Sequence, residues 1–355
     1  MIARYWHPLD DGRVQCDLCP RACRLACGQR GFCFVRECVD ARMELTTYGR
    51  SSGFCVDPIE KKPLNHVAAG SGVLSFGTAG CNLACRFCQN WEISTVRSLD
   101  ALTDQASPDA VAAMARSLGC RGVAYTYNDP VVFAEYAGDV AMAVHQAGLL
   151  NVAVTAGYIN PEPRADFFAH MDAANVDLKS FDAGFYRRIV GGRLEVVLET
   201  LRYLVHQTDV WVEITTLLIP GHNDSDAELG ALAAWIANEL GPDVPWHVTA
   251  FHPDNRMRQV PPTPVARLRR ARAIGQEAGL RFVYTGNTVD PAGSTTSCPS
   301  CGLALVERAG FGLTRYDLTA KGHCPHCGAA VSGLWDARPG DFGNRRQPVR
   351  ARDGT

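Results

Sequence analysis

The sequence predicts an α/β chain: a partial (β/α) TIM-like barrel between a cysteine-rich N-terminal segment and a C-terminal zinc ribbon. Three observations predict it. Short apolar, β-branched runs alternate with helical stretches through the middle of the chain, the pattern of parallel strands joined by crossover helices. Several of those stretches open on Ser, Asp or Pro and close on Gly, as helix capping requires. Cysteines gather at both ends and in one loop between them. They divide the chain into a metal-binding segment (1–70), a barrel (71–290), a ribbon-like module (291–337) and a flexible tail (338–355).

Taken in order, the barrel strands are read in GVLSFGT, GVAYTY, NVAVTA, ANVDLKS, VWVEITTLLI, PWHVTAF and RFVYTG. The helices are read in SPDAVAAMARSLG, DPVVFAEYAGDVAMAVHQAG, LEVVLETLRYLVHQ, DSDAELGALAAWIANELG and PVARLRRARAIGQEAG, with none named between NVAVTA and ANVDLKS. In such an architecture chemistry sits at the C-terminal ends of the strands. The arginines of PVARLRRARAIG fall on the side of their helix away from its apolar positions and read as its solvated face. The last stretch, ARPGDFGNRRQPVRARDGT, is rich in Arg, Gly and Pro with few apolar residues, hence the expectation of a flexible tail.

At 355 residues the chain suits one large domain with appendages or two ordinary ones. A formal net charge of -2 supplies no electrostatic argument for nucleic acid or an anionic membrane. The start MIARYWHPLDDGRVQC has no apolar signal core, and no run approaches the ~20 residues of a bilayer span. The expected location is the cytoplasm, where thiols stay reduced. The chain has 15 cysteines, most of them in CxxC-like groups, which in a reduced compartment point to metal ligands rather than disulfides.

The sharpest stretch is GTAGCNLACRFCQNWEIS, residues 77–94, with Cys81, Cys85 and Cys88 following the first barrel strand. Soft thiolates favour iron–sulfur clusters or zinc, and a four-iron cluster takes four cysteines. Three leave one iron open to an outside ligand; a zinc site with a distant fourth ligand is the competing reading. The CxxxCxxC spacing, with Phe87 as the aromatic before the last cysteine, resembles the signature of the radical S-adenosylmethionine superfamily. That resemblance implies a 4Fe-4S cluster whose open iron takes S-adenosyl-L-methionine, and reductive cleavage of that cofactor to a 5′-deoxyadenosyl radical. YGRSSGFCVDPIEKKPLNH, CQNWEIS, YTYNDP, NVDLKSFD and TTLLIPGHND together resemble the radical enzyme of the AmmeMemoRadiSam system, a family related to pyruvate formate-lyase activating enzymes. The likeness runs up to about Trp335. It implies a reductant such as a ferredoxin or flavodoxin, and Memo-like and AMMECR-like proteins as companions. The substrate stays open. A glycyl-radical activase and a non-catalytic metal-binding interaction module are the other function classes.

Alternation in NVDLKSF places Asp177 and Lys179 on one face. An inward charge is costly unless paired or bound to ligand, so the two either form a structural ion pair or contact ligand. The resemblance implies the methionine part of the cofactor. Where the superfamily carries a Gly-Gly-Glu-like stretch this chain reads TYNDP, with Asp129 in the place of the family's Glu and Asn128 beside it. The resemblance implies that they bind the cofactor's amino group; the competing reading is an ordinary turn and helix start. Thr155 and Gly157 are candidates for the ribose. Glu213 and Thr215 share a strand face, and His247 and His252 flank the sixth strand. Of these, Glu213 and His252 are the candidates for a catalytic proton role, against the plainer reading of satisfied structural groups.

At the C-terminal end, CPSCG and CPHCG offer Cys298, Cys301, Cys324 and Cys327, the spacing of a structural zinc site, which a rubredoxin-like iron site shares. At the N-terminal end Cys16, Cys19, Cys23 and Cys33 are read as ligands of zinc or of an auxiliary cluster, with Cys27 and Cys38 as extras.

Overall fold

The computed structural model describes residues 1–100, 102 and 104–349. Seven strands run parallel in sequence order: β1 (Gly72–Phe76), β2 (Gly122–Tyr125), β3 (Leu150–Thr155), β4 (Ala173–Asp177), β5 (Trp211–Leu218), β6 (Trp246–Ala250) and β7 (Val283–Gly286). Strand Phe54–Pro58 pairs antiparallel with β1, and Gln347–Val349 pairs antiparallel with that strand, so the sheet has nine members. All residues of β1 and β2 are buried, as expected where helices cover a parallel sheet.

The helices are α1 (Pro108–Ser117), α2 (Ala134–Gln146), α3 (Pro161–Phe168), α4 (Leu194–Gln207), α5 (Asp226–Trp235) and α6 (Val265–Glu277). Their starts follow local chemistry. Ser107 accepts a hydrogen bond from Ala110 N with Pro108 in the first turn, and Ser225 accepts from Glu228 N, each cap worth about 1 kcal/mol. Helix α3, between β3 and β4, is the element with no counterpart in the sequence reading. Two prolines in its first turn and no apolar stripe hide it; Phe167 and Phe168 nonetheless bury it against the body. The arginines of α6 are not merely solvated: Arg267 and Arg270 pair with Asp226 at the start of α5, and Arg269 with the buried Asp290.

A buried ion pair ties the N-terminal segment to α2. Arg36 Nη2 donates to both carboxylate oxygens of Glu135 in α2 at 2.6 Å, and the two side chains are 1% and 0% exposed. Removing either partner would leave a buried charge, a loss of about 3–5 kcal/mol. At the other end the hairpin Ala304–Ala309/Gly312–Tyr316 packs Leu305 and Val306 on Tyr284 of β7 and on Phe282 just before it.

Residues 338–349, read from composition as part of a flexible tail, lie along the body. Gly340 N donates to Ala69 O and Phe342 N to Gly70 O, the Phe342 ring fills the space a Cβ on Gly72 would need, and Gln347–Val349 closes the sheet edge. Backbone pairing and one aromatic anchor do this, and composition registers neither. Residues 350–355 of that reading lie outside the described residues. Among the described residues no helix is long and apolar enough to cross a membrane.

Candidate functional site

The loop after β1 carries Cys81, Cys85 and Cys88 and is held by backbone-directed bonds. Asn128, at the end of β2, accepts from Thr78 N at 2.9 Å and donates to Ala79 O at 3.2 Å and Gly80 O at 2.8 Å. Gly77 has no room for a side chain: a Cβ would come within 2.4 Å of Thr126 O. Further along, Ala84 N donates to Val190 O and Arg86 N to Ile189 O, joining the loop to the helical turn Tyr186–Val190 that follows β4. Burial pushes the Cys85 thiol up to about 12, and burial together with the Asp129 carboxyl pushes Cys81 higher still. Thiols so placed ionise when a metal replaces the proton.

The three sulfurs border one cavity of about 1270 Å³, which is walled by Asp129, Thr155, Asp177 and Lys179 from the ends of β2 to β4, by Thr215 and His247 from β5 and β6, and by Arg308 from the C-terminal hairpin. Lys179 Nζ lies 2.8 Å from Asp177 Oδ2 and 5.8 Å from the centroid of the buried Phe87 ring. The alternation argument for this pair therefore holds in space: Val176 and Leu178 point into the core. Burial opposes the Lys179 charge, but Asp177 and then Cys85 outweigh it and hold the ammonium above its ordinary range.

Asp129 is fully engaged. Its carboxylate accepts from Val131 N at 3.1 Å, Thr155 Oγ1 at 2.9 Å and Ala156 N at 3.1 Å, and burial raises its pKa. It is both the helix start of the competing reading and a cavity wall, tying the end of β2 to that of β3. Thr155 in turn accepts from Gly157 N.

Glu213 is consumed by structure. It takes hydrogen bonds from Asn65 N, His66 N, Trp211 Nε1 and His247 Nε2, the last at 2.6 Å. Burial works against its charge, but His247 and His66 hold it below the usual carboxylate range. His252 is exposed beyond β6 and does not border the cavity. Thus the two catalytic candidates are not brought together at the site.

In their place the structure presents residues that sequence reasoning passed over. Glu60 and Lys62, in the EKKP run, and Arg308 are all buried on the cavity wall. Burial raises Glu60 to about 7, with Arg308 opposing, and burial lowers Lys62 to about 8, with Asp57 opposing. Glu60 Oε2, Arg308 Nε and Thr215 Oγ1 find no hydrogen-bond partner in the protein, which is costly unless a ligand supplies one. Tyr127, with φ +71, donates from its hydroxyl to Asp57 Oδ2 at 2.6 Å; a non-glycine residue in that region stores local strain on the cavity wall. The advance signal for Glu60 and Lys62 was the stretch YGRSSGFCVDPIEKKPLNH, which carried the family resemblance but gave these two residues no role.

Cys298, Cys301, Cys324 and Cys327 place their sulfurs within 4.8 Å of one another, with Cys298–Cys327 at 3.5 Å and Cys301–Cys324 at 3.7 Å. A tetrahedron with Zn–S bonds of about 2.3 Å has edges of about 3.8 Å, so this group fits a single tetrahedral ion. Cys81, Cys85 and Cys88 border their own, larger cavity. Cys16, Cys19, Cys23 and Cys33 surround a second, small cavity, while Cys27 neighbours Cys38.

The description "Radical SAM superfamily" matches residues 76–233, which begin at the end of β1 and take in the cysteine loop and the ends of β2 to β5. An uncharacterized protein of Methanocaldococcus jannaschii is 37% identical over 331 residues, 93% of this chain and 98% of that one. The chain belongs to the radical SAM superfamily. This radical SAM enzyme is also similar to the benzylsuccinate synthase activating enzyme of Thauera aromatica, 26% identical over 231 residues, 61% of this chain and 67% of that one. Among solved structures, a domain of pyruvate-formate lyase-activating enzyme from Bacteroides vulgatus is 18% identical, covers 47% of this chain and 99% of its own, and has a TM-score of 0.42. A radical SAM methyltransferase from Sphaerobacter thermophilus is 18% identical with a TM-score of 0.47, covering 61% of this chain and 67% of its own.

Proposed function

We propose that Cys81, Cys85 and Cys88 hold a 4Fe-4S cluster whose open corner takes S-adenosylmethionine, and that the enzyme abstracts hydrogen from a substrate lying in the same cavity. When bound, these groups supply a 5′-deoxyadenosyl radical by one-electron cleavage, the electron coming from a ferredoxin- or flavodoxin-like donor. The chain's own residues bind and orient. Lys179 and Asp177 offer the charge-assisted contacts to the methionine carboxylate and amino group. Asp129 and Asn128 act by holding the loops, because their polar atoms are already engaged. Glu60, Arg308 and Thr215, which line the same cavity and carry unpartnered atoms, receive polar groups of the substrate. The strands curve as a partial barrel around this space, and the four C-terminal cysteines carry zinc.

The observation that carries the reading is that the three thiols and the Asp177–Lys179 pair border one cavity at the C-terminal ends of parallel strands. Its test is anaerobic incubation of reconstituted, dithionite-reduced protein with S-adenosylmethionine, with Cys85→Ala as control. Methionine and 5′-deoxyadenosine should form in the wild type alone; equal traces in both would end the proposal. The AmmeMemoRadiSam assignment is part of it: Memo-like and AMMECR-like partners should raise the rate or define a product, and indifference to both would remove them. A second reading, an activase acting on a glycine of a protein partner, is favoured by the match to the benzylsuccinate synthase activating enzyme. It predicts a glycyl-radical electron paramagnetic resonance signal on the partner.

A further inference from the structure

We infer that Cys16, Cys19, Cys23 and Cys33 hold an iron–sulfur centre of their own, separate from the one on the Cys81–Cys88 loop. The four side chains line one small, nearly apolar cavity. Cys16, Cys19 and Cys33 are buried and Cys23 is half-buried. Cys27 and Cys38, the other cysteines of the segment, neighbour each other instead and do not border it.

A second observation points to a ligand. Arg36 is 1% exposed and forms part of the same wall. Its Nη2 donates to Glu135 and its Nη1 to Arg4 O, but its Nε has no partner. A buried donor without an acceptor is rare in native proteins. Cluster sulfide or a coordinating thiolate is an acceptor of the right kind, and hydrogen bonds to sulfur are among the means by which proteins tune iron–sulfur centres. Phe32 N donates to Cys23 Sγ at 3.4 Å.

The spacing differs from that of the C-terminal cysteines, which bring four sulfurs within 4.8 Å of one another; the N-terminal four do not meet that single-ion criterion. The site also abuts the first cysteine loop. Cys33 O sits where a Cβ on Gly80, the residue before Cys81, would fall, and Arg21 Nε donates to Asn82 O at 2.8 Å. The Arg21 guanidinium, which also lines the cavity, lies 3.6 Å from the centroid of the partly exposed Phe32 ring.

The test uses the full chain carrying Cys81→Ala, Cys85→Ala and Cys88→Ala together, reconstituted anaerobically with ferrous iron and sulfide and then desalted. It should retain about four iron and about four sulfide per chain, with thiolate-to-iron charge-transfer absorbance that bleaches on dithionite reduction, and about one zinc. Adding Cys19→Ser and Cys33→Ser should remove the iron and the absorbance. Absence of iron and sulfide from the triplet-free chain would overturn the inference, whether zinc stays at about one or rises to about two per chain. That result needs no variant of the N-terminal cysteines, so misfolding of the segment cannot mimic it. Because the triplet is already gone, it leaves the proposed radical chemistry untouched.

Discussion

Replacing Glu60 by Gln should change how stability depends on pH, by an amount the structure sets. Burial raises the Glu60 carboxyl from 4.5 to about 7. Below about pH 4.5 both folded and unfolded chains carry it protonated, and nothing is lost. As pH rises from 4.5 to 7 the unfolded chain ionises first, so folding loses about 1.4 kcal/mol per unit of difference, about 3 kcal/mol in all. His66 works in the opposite direction. Burial lowers it from 6.5 to about 4, so the unfolded chain binds its proton first as pH falls, and folding gains about 3 kcal/mol as pH rises from 4 to 6.5. In the wild type these two groups nearly cancel across pH 4.5–6.5. Glu60→Gln keeps an oxygen to accept from Gly70 N, the 2.8 Å bond made by Glu60 Oε1, but cannot ionise, so the His66 rise should stand alone. Urea unfolding followed by tryptophan fluorescence, in matched buffers at half-unit pH steps, should show the variant gaining on the wild type by about 3 kcal/mol between pH 4.5 and 7. Parallel curves for the two proteins would refute the argument that Glu60 is buried uncharged at the cavity wall.

Asn128→Ala removes the partners of three buried backbone groups, Thr78 N, Ala79 O and Gly80 O, at about 1 kcal/mol each. Iron bound at the Cys81–Cys88 loop should fall while the far-ultraviolet circular dichroism is kept, and full iron retention would count against the stapling role. Lys179→Met and Asp177→Asn should each weaken S-adenosylmethionine binding by about 1.5–3 kcal/mol, roughly 10- to 100-fold; wild-type affinity in both, by calorimetry, would reduce the pair to internal structure. Cys298→Ala should remove about one zinc per chain and expose the hairpin Ala304–Ala309/Gly312–Tyr316 to proteolysis with iron content unchanged. Elemental analysis finding no zinc even in the wild type would sink that assignment.

Much of this was legible because local rules carried it. Short apolar, β-branched runs and helical stretches with capping residues located the seven parallel strands and all their helices except α3, whose prolines and missing apolar stripe hide it. The cysteine spacings and the Asp177–Lys179 alternation act over a few residues, and the structure sets the three loop cysteines and that pair around one cavity. The misreadings share a cause. Glu213 reads as an inward polar position on a strand face and His252 as a flank of the sixth strand, but only the fold shows that backbone donors of Asn65 and His66 claim Glu213 and that His252 is exposed and does not border the cavity.

What the sequence alone determined was therefore the chemistry on offer: three thiolates in one loop, an Asp-x-Lys pair after a strand, and four cysteines in two knuckles. Each depends on neighbours a few bonds apart along the chain. What only the tertiary structure decided was which distant charges share a wall. Glu60 and Arg308 lie 3.6 Å apart, Arg346 of the expected tail donates to Cys55 Sγ at 2.9 Å and borders the cavity, and Arg36 meets Glu135 beneath the N-terminal cysteines. No local pattern encodes these pairings. Burial makes an unpaired charge expensive, and the partner that relieves it is chosen by how sheet, segment and hairpin pack in space.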